Sequence, residues 1–559
     1  MIALAAFGAL GVTGAATAQQ FANQTATRFP VQAEYTNQCT VVDLDNDGDL
    51  DIVWANGQGY SSAGAALKPR IYINNGTGIF SDETDARAPG VTGWFRGVEA
   101  GDIDGDGDQD LILAQDFNKR PVLLVNTGAG NFVDQSAARL PNLLMSSMRA
   151  QFGDVDNDGD LDLIFCNSGS VSRFGSGQPR MYLNDGTGVF TDATASGLPT
   201  GNVAEQMDIL FADTDNDLDL DIVLATRASS PNQTRHWKND GTGRFTNQTP
   251  FPSDATAYSW DAGDIDGDGD LDLIGVNAGS GNQELLARNS NGLGTSWATI
   301  STNITPNPST DDNDSRFFDV DNDGDMDFIV GSLGSRERLY INNGSGVFAE
   351  NTTIFPAVSD ATIDIKVADF NSDGRLDVIT AQGEAGSFQN KIYMNISGPA
   401  DTRAPNIVAL ETVTPGARPS AHVIRANIMD SMTSDRGFHD KGIVLKWIAD
   451  GGAVQSVAMK WSGNNQWRGV MPAQAPAADV EYWVQATDWA GNIGNSASKF
   501  FVEGGTPPVY GDLNGDGVVS GADLGLLLGN WGNPGTGDLN GDGTVDGADL
   551  GGLLSAWTV

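Results

Sequence analysis

Seven short apolar runs, at residues 52–55, 111–114, 163–166, 222–225, 273–276, 328–331 and 378–381, recur along the first two thirds of the chain. They are rich in β-branched residues and bounded by turn residues, the pattern of strands. Each follows an acidic stretch with carboxylates at alternate positions around a turn residue. These stretches start at Asp43, Asp102, Asp154, Asp213, Asp264, Asp319 and Asp369, between 50 and 59 residues apart. A near-constant period of this size predicts a propeller or solenoid. About twenty residues further on, several repeats carry a second signature, Tyr72-Ile73-Asn74-Asn75-Gly76-Thr77-Gly78-Ile79-Phe80, with counterparts at 181–190 and 339–348. Asn-Gly or Asp-Gly between apolar segments predicts a tight hairpin. With one strand before each acidic loop and one after it, every repeat supplies four short antiparallel strands, the content of one propeller blade.

The pattern also predicts how the array closes. Phe80, Thr84 and Pro89 are followed at the same spacing by Phe132, Ser136 and Pro141, and by Phe190, Thr194 and Pro199. The seventh repeat stops at residues 392–395 without such a segment, while Phe21, Thr25 and Pro30 carry it near the start of the chain. The expectation is a seven-bladed ring whose last blade takes its outer strand from residues near Phe21, leaving no open edge.

Carboxylates at every second position repel one another unless a cation gathers them, and calcium takes six to eight oxygen ligands from such a loop. These loops and their following strands resemble the FG-GAP/VCBS repeats of integrin α-subunit propellers and of many bacterial secreted proteins, over about residues 20–397. The resemblance implies one calcium per loop, held by side chains at positions 1, 3, 5 and 9 and by the carbonyl at position 7. In the first loop these are Asp43, Asp45, Asp47 and Asp51 with Asp49, and in the second Asp102, Asp104, Asp106 and Asp110 with Asp108. The third has Asp154, Asp156, Asp158 and Asp162 with Asp160; the fourth has Asp213, Asp215, Asp217 and Asp221 with Asp219. The fifth has Asp264, Asp266, Asp268 and Asp272 with Asp270; the sixth has Asp319, Asp321, Asp323 and Asp327 with Asp325. The seventh has Asp369, Asn371, Asp373 and Asp377 with Arg375. Two loops depart from the pattern. Leu218 replaces the glycine of the fourth, where the turn wants φ > 0, so that site is expected to be the weakest. Asn371 lowers the charge of the seventh but keeps an oxygen.

Beyond the repeats, residues 443–447, 456–461 and 480–486 read as strands of a β-sandwich module spanning 401–504. Residues 482–492, ending Ala-Gly-Asn, resemble the late strand and turn of immunoglobulin-like or fibronectin-type modules. A proline-stiffened linker leads to two twelve-residue loops of EF-hand type in 505–559, each followed by a short apolar helix at 524–528 and 550–557. Their ligands are Asp512, Asn514, Asp516, Ser520 and Asp523 with the carbonyl of Val518, then Asp538, Asn540, Asp542, Asp546 and Asp549 with that of Thr544. The two loop–helix units resemble a type I dockerin, which implies a cohesin-like receptor. The positions that read the partner are Gly521-Ala522 and Gly547-Ala548 here, which departs from the Ser-Thr frequent in that family. About nine calcium sites, mainly structural, are thus expected.

Composition changes this picture little. The 559-residue chain carries a formal charge of −42, but over half of its acids lie in these loops, so the acidity speaks for metal and against nucleic acid. Residues 1–18 read as a secretory signal ending Ala16-Thr17-Ala18, although no Lys or Arg precedes the apolar run, and 19–400 is then the propeller. No other segment is long and apolar enough to span a bilayer. Cys39 and Cys166 read as buried free thiols, His422 and His439 as surface residues, and Trp54, Trp94, Phe95, Trp237 and Trp260 as blade packing. Glu99, Glu205, Asp208, Asp261 and Asp364 lie just ahead of the loops and read as hairpin or outer-sphere groups. No Ser/His/Asp, Cys/His or HExxH arrangement accompanies His236, so no catalytic residue is assigned. The expected function is a secreted or cell-surface calcium-binding protein whose propeller serves adhesion to a protein or glycan and whose tail tethers it. The alternatives are a polysaccharide lyase or hydrolase on the propeller scaffold and a purely structural surface component.

Overall fold

The computed structural model describes residues 20–558 apart from 60, 170, 171, 173, 228–233, 253–255, 278–282, 384, 385, 417–419, 431–437, 505–509, 515–517, 534 and 541–543. The signal segment therefore lies outside the described residues, as do Asp516 and Asp542. The protein is mainly β. Five successive four-stranded antiparallel sheets begin with Thr36–Val42, Phe95–Gly101, Ala150–Gly153, Gln206–Ala212 and Ala257–Gly263. Two further four-strand units begin with Asp312–Phe318 and Ser359–Ala368, joined to one another where Leu333 pairs Ala361. We number these units 1 to 7. Each is consistent with a propeller blade.

Within a unit the acidic loop joins the first strand to the second, as between Thr36–Val42 and Asp51–Asn56, and the Asn-Gly turn joins Arg70–Asn74 to Phe80–Asp82. Antiparallel order puts both turns at one end of the unit and the connection between strands two and three at the other. The second strands read as continuous apolar runs because both their faces are covered: Ile52, Val53, Trp54 and Ala55 are all fully buried. The core sits between units. Val53 and Ile71 of unit 1 pack with Leu111 and Leu113 of unit 2, while Trp54 and Tyr72 of unit 1 pack with Ile379 and Met394 of unit 7.

Unit 7 obtains its fourth strand from Phe21–Asn23, in the register Phe21 to Asn395 and Asn23 to Tyr393. The fourth strands of units 1, 2 and 3 run into one-turn helices, Thr84–Arg87, Ser136–Arg139 and Thr194–Gly197, which the sequence pattern did not declare. Their first hydroxyls accept from the third strand, Thr84 from Ile71 N–H at 2.9 Å and Ser136 from Leu123 N–H at 2.8 Å. Thr25 accepts from Ile392 N–H at 3.0 Å in the same way. The first strands of neighbouring units touch in sequence from 1 to 7, and that of unit 7 touches that of unit 1.

Residues 406–502 form two sheets over one core that includes Leu445, Trp467 and Tyr482. The expected strand at 456–461 is split between them, into Gln455–Ala458 and Lys460–Gly463. His422 is not a surface residue. It is buried, with Nε2 2.9 Å from Glu503 Oε2, a partner remote in sequence; the side chain of His439 lies outside the described residues. The tail helices are Gly521–Gly529 and Gly547–Ser555, starting three residues ahead of the apolar runs because Ser520 with Asp523, and Asp546 with Asp549, form capping boxes. Both cysteines are buried and neither forms a disulfide.

Candidate metal centres

In each acidic loop the carboxylate at position 9 ties the turn together. Asp51 accepts from Leu44 N–H and Asn74 N–H at 3.0 and 2.8 Å, and Asp110, Asp162, Asp221, Asp272, Asp327 and Asp377 repeat both contacts. Position 1 wraps the turn itself: Asp43 accepts from Asp47 N–H and Gly48 N–H. The glycine at position 6 has φ near +90° in the first loop, and Leu218 takes φ +68° in the fourth, the strained geometry its sequence position forecast.

Position 3 is different. One oxygen of Asp45, Asp104 and Asp266 faces an arginine, Arg87, Arg139 and Arg288 respectively, and one of Asp215 faces Lys238. The other oxygen, Oδ1, is buried with no hydrogen-bond partner in Asp45, Asp104, Asp156, Asp215 and Asp266, and so is Asn371 Oδ1. Buried acceptors are ordinarily satisfied, and the same orphan in six of seven repeats is one that a cation could satisfy. Asp43, Asp45 and Asp51 present oxygens within 4.8 Å of one another, as do Asp102, Asp104 and Asp110; Asp154, Asp156 and Asp162; and Asp264, Asp266 and Asp272. In the fourth loop the converging set is Asp213, Asp215 and Asp217, without Asp221, which Thr214 Oγ1 engages instead. All donors are hard oxygens, so the site fits calcium or another oxygen-seeking divalent ion. Electrostatics agree. Burial pushes Asp51, Asp272 and Asp327 up to about 8 and Asp110 to about 7, each against the pull of its two backbone amides. Carboxylates so desolvated need a proton or a cation beside them at neutral pH.

The Asn that follows the loop extends this tie to the preceding unit. Asn126 Nδ2 donates to Gln109 O of its own loop and, at 2.9 Å, to Leu44 O of unit 1. Asn74, Asn184, Asn239, Asn289 and Asn342 do likewise to their preceding units. In unit 7 Gln20 Nε2 donates to Val320 O instead. Replacing Asn126 by Ala strands two buried carbonyls and should cost about 3 kcal/mol in urea unfolding; a loss below about 1 kcal/mol would remove this tie from the account.

At the tail, Asp523 Oδ1 accepts from Leu513 and Asn514 N–H, and Asp549 Oδ1 from Leu539 and Asn540 N–H, so both position-12 acids lie against their own loops.

Of the acids ahead of the loops, Asp208, Asp261 and Asp364 are not hairpin groups of their own units but bridge to other units. Asp364 accepts from Cys39 N–H, Asp314 from Ile365 N–H and Asp261 from Phe317 N–H. Arg149 joins Asp208 and Asp364 at 3.2 and 3.1 Å, and Arg316 joins Asp314. The overlooked signal is a polar residue five places before the loop, as at Gln38, Arg149, Asp208, Asp314 and Asp364, or three places before it, as at Glu99, Asp261 and Arg316. Of the aromatic residues expected in the packing, Trp54, Phe95, Trp237 and Trp260 are buried. Trp94 is partly exposed, with Lys119 Nζ 4.6 Å above its ring.

His236 is buried beside Phe251 and Trp297. Its Nε2 lies 2.9 Å from Thr214 Oγ1, whose proton goes to Asp221, and its Nδ1 has no partner. Burial lowers its pKa to about 4. The unfolded chain binds the proton first as pH falls below about 6.5, so the folded state loses stability between pH 6.5 and 4, by about 3 kcal/mol at most. Urea titrations should show this acid slope shrinking in His236→Gln; an identical slope in both proteins would exclude His236 as its source.

Residues 43–113, 102–165, 213–275 and 319–380 each match the FG-GAP-like repeat. A comparison with curated proteins gives no match.

Proposed function

We propose that the chain is a secreted, calcium-stabilised binding protein built as a seven-bladed FG-GAP/VCBS propeller, a β-sandwich spacer of immunoglobulin or fibronectin type and a dockerin-like tether. The orphaned position-3 oxygens carry this reading, since they recur in six of the seven loops, as a repeated structural site would and a single catalytic centre would not. Calcium then serves as a staple. The ring is supported by the cyclic contacts of the first strands and by the Phe21–Asn23 strand. An outward-facing role of the tail is supported by Leu526, Leu528 and Leu554, exposed on its two helices, and by Trp531, exposed just beyond the first. A cohesin-like surface receptor would bury them. Among the described residues no helix is long and apolar enough to cross a membrane. The ligand of the propeller is an extracellular protein or glycan.

The test is a glycan and protein array run with calcium, followed by a reducing-sugar assay on the same glycans. Calcium-dependent retention without product is expected. Calcium-dependent release of sugar would replace the binding reading by that of a polysaccharide-degrading enzyme.

A further inference from the structure

The 401–504 module meets the acidic loops through one polar patch. On the paired strands His422–Met429 and Gln466–Met471, the side chains of Ile424, Ala426, Ile428, Trp467 and Met471 enter the module core. Alternation turns Arg425, Asn427, Gln466 and Arg468 to the other side, with Arg425 opposite Arg468 and Asn427 opposite Gln466. Arg468 Nη2 donates to Asp158 O of the third loop at 3.2 Å, and Ser462 O accepts from Asp154 N–H of that loop at 2.8 Å. The other three converge on the fourth loop. Arg425 Nη1 and Gln466 Nε2 both donate to Leu218 O at 2.6 Å. Arg425 Nη1 also lies 2.6 Å from Asp219 Oδ1, and Asn427 Nδ2 donates to Asp213 Oδ2 at 2.6 Å.

This loop needs outside support. Leu218 holds a left-handed turn that costs a leucine more than a glycine, and Asp221, committed to Thr214, drops out of the converging oxygens. The module supplies that support without taking the place of an ion. Leu218 O is the carbonyl of position 6, not of position 7. Arg425 takes the side chain of Asp219, whose carbonyl is the expected ligand. Asn427 takes the Asp213 oxygen that Leu218 N–H already holds at 2.8 Å. The orphaned Asp215 Oδ1 stays open to a cation. Five carboxylates against one calcium leave the loop at a net charge of −3, so Arg425 remains attracted when the site fills.

We infer that the fourth loop owes its calcium affinity to the module, and that calcium in this loop in turn latches the module onto the propeller. Ion and module select the same loop shape without competing for a ligand position, so each strengthens the other by the same factor. Arg425, Asn427 and Gln466 are thus positioning residues for a metal site in another domain. The latch also governs the centre of the seven units. Trp461 and Asn464 of the module line one cavity there with Gln38, Asp208 and Asp261, and loss of the fourth calcium loosens this cover. The inference rests on the calcium-staple reading and gives the one atypical loop a role of its own, as the site where calcium controls how the two domains sit together.

The chain has three histidines, so ring-labelled histidine gives a simple NMR spectrum in which His236, 2.9 Å from Thr214 Oγ1, reports on the fourth loop. Calcium is titrated into the metal-free full chain while this signal is followed. With Arg425→Met and Gln466→Met together, the midpoint should rise at least tenfold over the parent. Adding Leu218→Gly, which takes the turn without strain, should recover most of that loss. The reciprocal arm reads hydrogen exchange in millimolar calcium at Asp154, whose N–H is held by Ser462 O of the module. Asp215→Asn with Asp217→Asn, which empties the fourth loop, should speed this exchange at least tenfold. Asp45→Asn with Asp47→Asn in the first loop should leave it unchanged. If the Arg425→Met and Gln466→Met protein fails to fold, the reciprocal arm decides. The inference falls if the midpoint does not move, if Leu218→Gly restores nothing, or if emptying either loop frees Asp154 equally. A parent His236 signal indifferent to calcium overturns it as well, and takes the staple reading with it only if melting is also unchanged in EDTA.

Discussion

In excess EDTA the protein should melt about 13 °C lower than in millimolar calcium. The magnitude follows from the sites. Extracellular calcium modules bind at about 10⁻⁴ M, so a millimolar excess stabilises each loop by roughly 1.5 kcal/mol. Seven loops in one cooperative structure amount to roughly 10 kcal/mol. For roughly 380 residues the unfolding entropy near the midpoint is about 0.8 kcal/mol/K, which turns that loss into a shift of this size. The shift should be reversed by calcium and only weakly by magnesium, which dehydrates reluctantly and demands a tighter octahedron. Single-site changes refine the test. Asp45→Asn keeps the turn and its oxygen but removes charge from the orphaned position, so it should cost a small part of the whole. Asp51→Asn places an amide where two backbone N–H groups must be accepted and should cost more. Coincident melting curves with and without EDTA would end the staple account, because six orphaned oxygens would then need another partner.

The four-strand unit and its acidic loop were legible because they repeat. Each copy is weak evidence of a strand or a turn, and seven copies at one period leave little else. The position-9 tie was also legible in outline, since Asp51 and its counterparts are the acids that abut the apolar run. What escaped was everything that joins one unit to another. Asp364 bonds a cysteine amide 325 residues away, and Arg149 bonds Asp208 and Asp364 from two different units. No local pattern announces such pairs, although the polar places five and three ahead of each loop do mark where they start. The 401–504 module was read as three strands where nine are present among the described residues, because its strands are short, unrepeated and split by bends such as that at Met459. Arg425 and Gln466, which grip Leu218 O, belong to that module. The leucine that broke the glycine pattern thus sits where the module docks, and a sequence read repeat by repeat had no means of bringing the two together.

Removing the strand near Phe21 should be the most damaging single lesion outside the metal loops. Phe21 is fully buried, 5.2 Å from the ring of Phe355 and packed with Tyr393. Its amide donates to Ile354 O, and Gln20 O accepts from Ile396 N–H. Phe21→Ala should therefore cost about 3–5 kcal/mol, read as a lower urea midpoint at unchanged slope. Deleting residues 20–28 goes further. It uncovers the whole edge of Lys391–Asn395, takes Thr25 from Ile392 N–H and Gln20 from Val320 O, and leaves Tyr393 and Met394 without cover. A bare edge strand of this composition, Lys-Ile-Tyr-Met-Asn, is a template for pairing with another copy. The deletion protein should elute as dimers and larger species in light scattering, and a synthetic peptide spanning residues 20–30 should restore the monomer by taking the place of the missing strand. A deletion protein that stays monomeric and melts like the parent would show that the seventh unit does not depend on this strand, and the array would then have to be stable with an open end.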